Sequence, residues 1–245
     1  MNLYLVTGTS KGIGFALMQA LYADKENELI CLNRAGATEL PGATIHAVDL
    51  SDPFAIDAAF AKVAKSLAER SFDKAVLINN AGVVMPVGPL TRNATADLVA
   101  NINVNLVAPM VLMRCFLNVT EGKAKLRRVI NISSGAGKRP VPGWGAYCAA
   151  KAGLDMASRV AALEAETYGT GVEVVSLAPG VVDTPMQAIV RSSDPADFPD
   201  VEQFRKLNAE GALRSPDAVA AEILRFEREG KLTPGGVLDL RTLAA

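Results

Sequence analysis

Histidine occurs once in these 245 residues, at His46. A histidine-based catalytic triad would have to run through that residue, which lies inside an apolar, strand-like run and reads as structural. Cysteine is also scarce. Cys31, Cys115 and Cys148 are odd in number and lack the spacing of a metal site. They read as free thiols in a reducing cytoplasm, with no metal expected. Neither sign of charge is in excess, with 25 basic side chains against 26 acidic ones. No basic patch interleaves with aromatics, which argues against nucleic acid. No run of 18 apolar residues appears, which argues against a membrane span. The N-terminal M-N-L-Y-L-V-T-G leads straight into a strand, with no basic segment or cleavage site ahead of it. Linkers, repeats and low-complexity stretches are missing too.

What remains is ample for a core, since half of the chain is hydrophobic. Short apolar runs alternate with longer helical ones. Strands are predicted at Leu3–Thr7, Leu29–Asn33, Ala43–Val48, Lys74–Asn79, Arg128–Ser133, Val172–Leu177 and Val237–Leu240. Helices are predicted over 13–24, 53–69, 95–120, 146–168, 200–210 and 216–229. Strands separated by helices imply βαβ units and a parallel sheet. Strands apolar along their length imply that both faces are covered. The expected fold is α/β: one doubly wound parallel sheet of seven strands over residues 1–245, with an excursion near 185–211.

In such sheets ligands bind beyond the carboxyl ends of the strands. Six of the predicted strands end in polar or Gly-rich residues: Thr7-Gly8, Asn33-Arg34, Asp49, Asn79-Asn80-Ala81-Gly82, Ser133-Ser134 and Pro179-Gly180. Together they mark one edge of the sheet as a site. After the first strand, T-G-T-S-K-G-I-G brings Gly8, Gly12 and Gly14 to a helix start. Glycines admit a pyrophosphate close to the backbone, and the helix N-terminus attracts its charge; the plainer reading is a tight strand-to-helix turn. A carboxylate ending the second strand would hold the ribose 2′-hydroxyl of NAD. Arg34 stands there instead, no acid follows before Glu39, and Lys11 lies in the glycine loop. Two cations suit a 2′-phosphate and hence NADPH; the plainer readings are a solvated loop residue for Arg34 and a helix-entry cation for Lys11. Asp49 can accept from an adenine amino group or cap the helix after Pro53. In the long helix, Pro109 deprives the Asn105 carbonyl of its donor, giving either a plain kink or a held water.

The chemistry centres on residues 133–151. Tyr147 and Lys151 are spaced i, i+4 and share a helix face, while a Gly/Pro-rich loop can fold Ser134 over them. Phenol, ammonium and hydroxyl together make a proton-transfer set. Pro140, Val141 and Trp144 precede Tyr147 and would line a pocket mouth, with Met85 and Met186 nearby. That apolar, aromatic lining favours a flat or aryl dicarbonyl. In P-G-V-V-D-T-P-M, the Val182 N–H and the Thr184 hydroxyl can fix a carboxamide. Residues 186–211 read as a lid over the site.

T-G-x-x-x-G-I-G, N-N-A-G, the helix asparagine, Ser–x12–Tyr–x3–Lys and P-G-x-V-x-T, in that order across residues 1–186, resemble the short-chain dehydrogenase/reductase family. The 186–240 stretch is similar to its sepiapterin reductase and benzil reductase subgroup. The resemblance implies a catalytic set of Asn105, Ser134, Tyr147 and Lys151. It implies NADP(H) contacts from Gly8, Ser10, Lys11, Gly12, Ile13, Gly14, Asn33, Arg34, Asp49, Leu50, Asn79, Asn80, Ala81, Gly82, Tyr147, Lys151, Pro179, Gly180, Val182 and Thr184. Ser134, Trp144, Tyr147 and Asp239 would meet substrate, Asp239 as the acid that receives a pterin. The reaction implied is reduction of a ketone or 1,2-dicarbonyl, with the proton from a Tyr147 drawn toward neutrality by Lys151. A homodimer or homotetramer built on the two long helices is expected. The alternatives are an alcohol dehydrogenase acting on a steroid or sugar alcohol, and a non-catalytic NADP-sensing protein.

Overall fold

The computed structural model describes residues 1–34 and 42–243. Glu39 therefore lies outside the described residues. Seven strands form one sheet: β1 (Asn2–Thr7), β2 (Asn27–Asn33), β3 (Ala43–Ala47), β4 (Phe72–Asn79), β5 (Ala124–Ile132), β6 (Val172–Ala178) and β7 (Val237–Asp239). Their order is β3-β2-β1-β4-β5-β6-β7. All six neighbouring pairs are parallel, so all seven carboxyl ends lie on one edge. The chain reverses direction across the sheet between β1 and β4, which is where such sheets open a crevice.

Helices α1 (Gly12–Tyr22), α2 (Ala55–Ser66), α3 (Thr95–Ile102), α4 (Ala108–Thr120), α5 (Gly145–Thr167), α6 (Pro185–Arg191), α7 (Val201–Ala209), α8 (Pro216–Arg228) and α9 (Leu240–Leu243) complete the chain. The period-two faces of the central strands feed two cores. On one face Leu3, Leu5, Leu77 and Val129 meet Phe60, Leu112 and Phe116 of α2 and α4. On the other, Val6, Val76 and Ile130 meet Leu17, Ile223 and Phe226 of α1 and α8.

Several sequence expectations need correction. β5 begins four residues before the expected Arg128, because Ala124 pairs with Phe72 despite the charges between them. β3 is an edge strand with half-exposed side chains, not covered on both faces. Leu240 begins α9 rather than ending β7. The 95–120 helix does not simply kink at Pro109. It opens into a π turn over Asn103–Val107, in which the Ala108 N–H donates to the Asn103 carbonyl. Thr95–Thr120 is long and apolar enough to cross a membrane by length and composition. Yet Asn101, Asn105, Leu112 and Phe116 along it are fully buried against the rest of the fold, which is what a core helix does.

The amino ends of the strands are joined by charge. Glu227 on α8 is 2% exposed. Its carboxylate accepts from Lys74 on β4 at 2.8 Å, from Arg128 on β5 at 3.1 Å and from the Tyr4 hydroxyl on β1 at 3.2 Å. Arg128 also donates to Glu173 on β6. Burial and the adjacent carboxylate push the Tyr4 phenol far above its ordinary range.

Candidate active site

The opposite edge of the sheet is built for close approach of a ligand. Gly8 has φ +69°, open to glycine, and a Cβ there would lie 2.8 Å from the Ala81 Cα. A Cβ on Gly14 would collide with the Gly8 carbonyl and with the Asn80 amide, and one on Gly12 would lie 3.2 Å from the Thr184 methyl. The glycine loop, the N-N-A-G turn and Thr184 thus converge. Asn80 Nδ2 donates to the Thr7 and Gly8 carbonyls at 3.0 and 3.2 Å. The N–H groups of Asn80 and Ala81 both donate to Thr7 Oγ1. Asn33 Oδ1 accepts from the Thr9 N–H, and its Nδ2 donates to Thr9 Oγ1 at 2.6 Å. Asn79 turns its amide inward to Asn131 Oδ1 at 2.8 Å. These asparagines tie four strand ends together and set the loop's shape.

At the outer end, Lys11 and Arg34 are exposed. Asp49 accepts from the Ser51 N–H and hydroxyl through one oxygen. Those bonds, with help from the Arg34 charge, hold its carboxyl below the usual range. Asp49 does not cap α2, which begins at Ala55. Leu50 is buried beside it.

At the inner end the proposed reacting groups gather. Ser134 opens a 3-10 turn, Gly135–Gly137, and its Oγ accepts from the Ala136 N–H. Tyr147 and Lys151 lie on the buried face of α5. Lys151 Nζ donates to the Ile132 carbonyl at 2.9 Å and sits 5.8 Å from the centre of the Tyr147 ring. Around Gly82 the pieces meet: a Cβ there would lie 3.0 Å from Asn105 Oδ1, 3.7 Å from Lys151 Nζ and 3.8 Å from Met186 Cε. Asn105 grips both backbone groups of one residue, accepting from the Val83 N–H at 3.1 Å and donating to the Val83 carbonyl at 2.8 Å.

The electrostatics differ from expectation. Burial pushes the Tyr147 phenol up, with the Ser134 hydroxyl pulling the other way. Lys151 does not draw Tyr147 toward neutrality here, because its hydrogen bond goes to Ile132 and the phenol is packed away from water. Burial lowers Lys151 itself to about 8, with Asp155 opposing.

Past α5, Thr184 caps α6 by accepting from the Gln187 N–H, and Gly180 turns at φ +82°. The bridge to Arg214 uses the Val181 carbonyl and the Asp183 N–H. The peptide groups of Val182 therefore face the other way. Trp144 stacks on Phe198 at 4.9 Å, meets Phe204 at 5.6 Å and sets its edge against Tyr147 at 5.5 Å. Val84, Val141 and Val190 close this cluster. Pro140 and Met85 are exposed, while Met186 packs against it. Residues 186–211 thus cover Trp144 and, through it, Tyr147. Ser133 Oγ, Trp144 Nε1 and Gln187 Nε2 are buried here without a hydrogen-bond partner.

Asp239 meets Arg241 rather than open space. Arg241 Nε and Nη2 donate to its two oxygens at 2.9 and 2.6 Å. Phe198, Phe204 and this arginine were not singled out by sequence reading. The two phenylalanines lie in a stretch with no period, and the i, i+2 spacing of Asp239 and Arg241 was their only signal.

The family model for short chain dehydrogenase matches residues 2–195. A benzil reductase ((S)-benzoin forming) of Bacillus subtilis is 39% identical over 243 residues, covering 98% of this chain and 99% of that protein. The sepiapterin reductase of Rattus norvegicus is 30% identical, covering 96% and 94%. Among solved structures, a short chain dehydrogenase/reductase of Saccharomyces cerevisiae superposes with a TM-score of 0.83 at 22% identity, covering 100% of this chain and 98% of that one.

Proposed function

The chain belongs to the short chain dehydrogenase family of NAD(P)-linked oxidoreductases, and from that premise we propose that it is an NADPH-dependent reductase of ketones and 1,2-dicarbonyls of the benzil type. One observation carries the reading. Ser134, Tyr147 and Lys151 lie beyond the strand ends, and Tyr147 packs in one cluster with Trp144, Phe198 and Phe204. A flat aryl carbonyl fits such a lining by area and by ring contact. The names of the relatives agree with carbonyl reduction.

The glycine cradle fits a dinucleotide, because Gly8, Gly12 and Gly14 leave the space that any side chain would fill. Val182 and Thr184 would hold the carboxamide, and Lys151 the nicotinamide ribose. Arg34 and Lys11 are free of ion pairs among the described residues and suit a 2′-phosphate. Bound there, the reduced nicotinamide supplies a hydride to the carbonyl carbon. Tyr147 gives the proton to the carbonyl oxygen, and the Ser134 hydroxyl donates to the oxygen as negative charge develops on it. To stabilise the phenolate left behind, Lys151 would turn its charge from the Ile132 carbonyl toward the phenol oxygen. At an effective dielectric of 20, a charge at about 4 Å stabilises a phenolate by about 4 kcal/mol. Asn105, rigid in the π turn, marks the route by which protons return. Residues 186–211 act as the lid.

The paired state of Asp239 disfavours a pterin. Its carboxylate is already met by a guanidinium of the chain itself, so a substrate's aminopyrimidine would have to displace Arg241. We place the enzyme in the cytoplasm, in keeping with the three free thiols. We also read it as a homodimer or homotetramer. Met156, Val160 and Leu163 form an exposed stripe at i, i+4, i+7 on α5, and Val99 and Met110 stand exposed on α3 and α4.

The test is a panel of aryl diketones, simple ketones, sepiapterin and sugar alcohols, run with NADPH and with NADH. Turnover of benzil-like diketones with NADPH is the expected result. No turnover anywhere on the panel overturns the reductase reading, and preference for sugar alcohols with NAD reverses its direction.

A further inference from the structure

Asp155 lies one turn beyond Lys151 on the same face of α5, yet no step above uses it. It is a carboxylate at 7% exposure. One oxygen accepts a hydrogen bond from the Ser176 hydroxyl on β6 at 2.5 Å. The other faces Gly137, where a Cβ would stand 2.7 Å from Asp155 Oδ2 and 3.0 Å from the Lys151 carbonyl. No arginine or lysine lies within ion-pair distance of it among the described residues. An isolated buried carboxylate is costly unless a charge or several donors compensate it. The opposite charge on α5 is the ammonium one turn away, which Asp155 favours against burial.

The surroundings of Lys151 contain little else of that kind. The turn after β4 presents Gly82, the π turn presents Asn105 and α6 presents Met186. β5 presents the Ile132 carbonyl. The titratable neighbours along α5 are Tyr147, Cys148 and Asp155, and among these Asp155 bears the charge opposite to that of Lys151. Position matters as much as charge. The 3-10 turn that carries Ser134 touches α5 at Gly137, directly over Asp155, and Asp155 in turn joins α5 to β6. Ser134, Lys151 and the strand leading to Val182 are therefore connected through one buried side chain.

We infer that Asp155 is a positioning residue for the reduction: it supplies the counter-charge that keeps the Lys151 ammonium protonated in a dry site, and it seats the Ser134 turn on α5. The inference rests on the reductase reading for its catalytic consequence, and for the coupling to Lys151 on the i, i+4 placement of the two charges on the buried face of α5.

The experiment is an NMR titration of lysine Cε in the full chain, with the Lys151 signal assigned from Lys151→Met, beside the pH profile of kcat. Asp155→Asn keeps the size and an acceptor for Ser176 but removes the charge. It should move the Lys151 titration down by about one pH unit and carry the alkaline limb of kcat down with it. Ser176→Ala removes the hydrogen bond and keeps the charge, and should leave the Lys151 titration in place. Where Asp155→Asn fails to fold, Asp155→Ser carries the same expectation. A folded Asp155 variant with an unmoved Lys151 titration overturns the inference. A shifted titration in a protein without reductase turnover upholds the coupling and removes the reductase reading instead.

Discussion

Gly14 sits in the first turn of α1, where helix propensity alone predicts that Gly14→Ala stabilises the protein by about 1 kcal/mol. The packing predicts the opposite. The added methyl would enter the Gly8 carbonyl and the Asn80 amide, with the Gly8 carbonyl carbon at 2.9 Å. Neither is the loose end of a flexible side chain. Asn80 must give up its bonds to the Thr7 and Gly8 carbonyls, at about 1 kcal/mol each. Overpacking of a rigid joint adds roughly 1–3 kcal/mol. Set against the propensity gain, the net loss is about 2–4 kcal/mol. For a chain of this size that lowers Tm by roughly 5–15 °C. Because the displaced atoms form the cradle, the Kd for NADPH should rise at least tenfold. Calorimetric melting and titration of NADPH against the fluorescence of the single tryptophan read both quantities. Gly169→Ala is the control: Gly169 has a positive φ of +63°, which Gly14 does not, and a Cβ added there has nothing within 4 Å. It should lose about 1–2 kcal/mol from backbone strain and keep its NADPH affinity. A Gly14→Ala protein that melts at or above the parent with unchanged Kd would refute the reasoning from the joint.

Tyr147→Phe should lower kcat by several orders of magnitude while leaving NADPH affinity nearly intact; equal loss of both would make Tyr147 structural. Arg34→Ala should weaken NADPH far more than NADH, and an unchanged ratio of the two Kd values removes the case for the 2′-phosphate. Glu227→Ala strands Arg128 and Lys74 without their shared carboxylate and should cost about 3–5 kcal/mol in urea unfolding, with KM unaffected. Lys151 titrates near 8 when folded against 10.5 in the open chain, so between those values the unfolded chain binds more protons and stability rises with pH. The cost of burying the ammonium is thus present in full below pH 8. Lys151→Met should raise Tm at pH 7, lose that gain by about pH 11 and abolish turnover; a lower Tm at pH 7 would show that the Ile132 bond outweighs burial.

Much of this was legible in the sequence because it is local. The strand ends, the glycine spacing and the i, i+4 pair of Tyr147 and Lys151 each depend on neighbours along the chain. Parallel pairing then carries them to one edge without further information. What escaped depends on contacts between distant segments. Ala124–Arg127 falls outside the expected strand because its charges hide the pairing with Phe72–Ala75. The π turn at Asn103–Val107 has no sequence period of its own. That the Tyr147 phenol is raised and not lowered follows from its burial under the aromatic cluster, and that burial is not visible in spacing. Asn79, Asn80 and Asn33 were read toward a cofactor, and in the fold their amides also hold strand ends together.

The knot of Tyr4, Lys74, Arg128, Glu173 and Glu227 lies at the far end of the same strands that carry the site. Its groups have charged partners, whereas Ser133, Trp144 and Gln187 at the carboxyl edge keep polar atoms unpartnered. For anyone redesigning substrate choice, this is a division of labour along each strand. Positions such as Trp144, Phe198 and Phe204 can be varied while the charged end keeps the sheet in register, and the tolerance for such changes ends at Glu227.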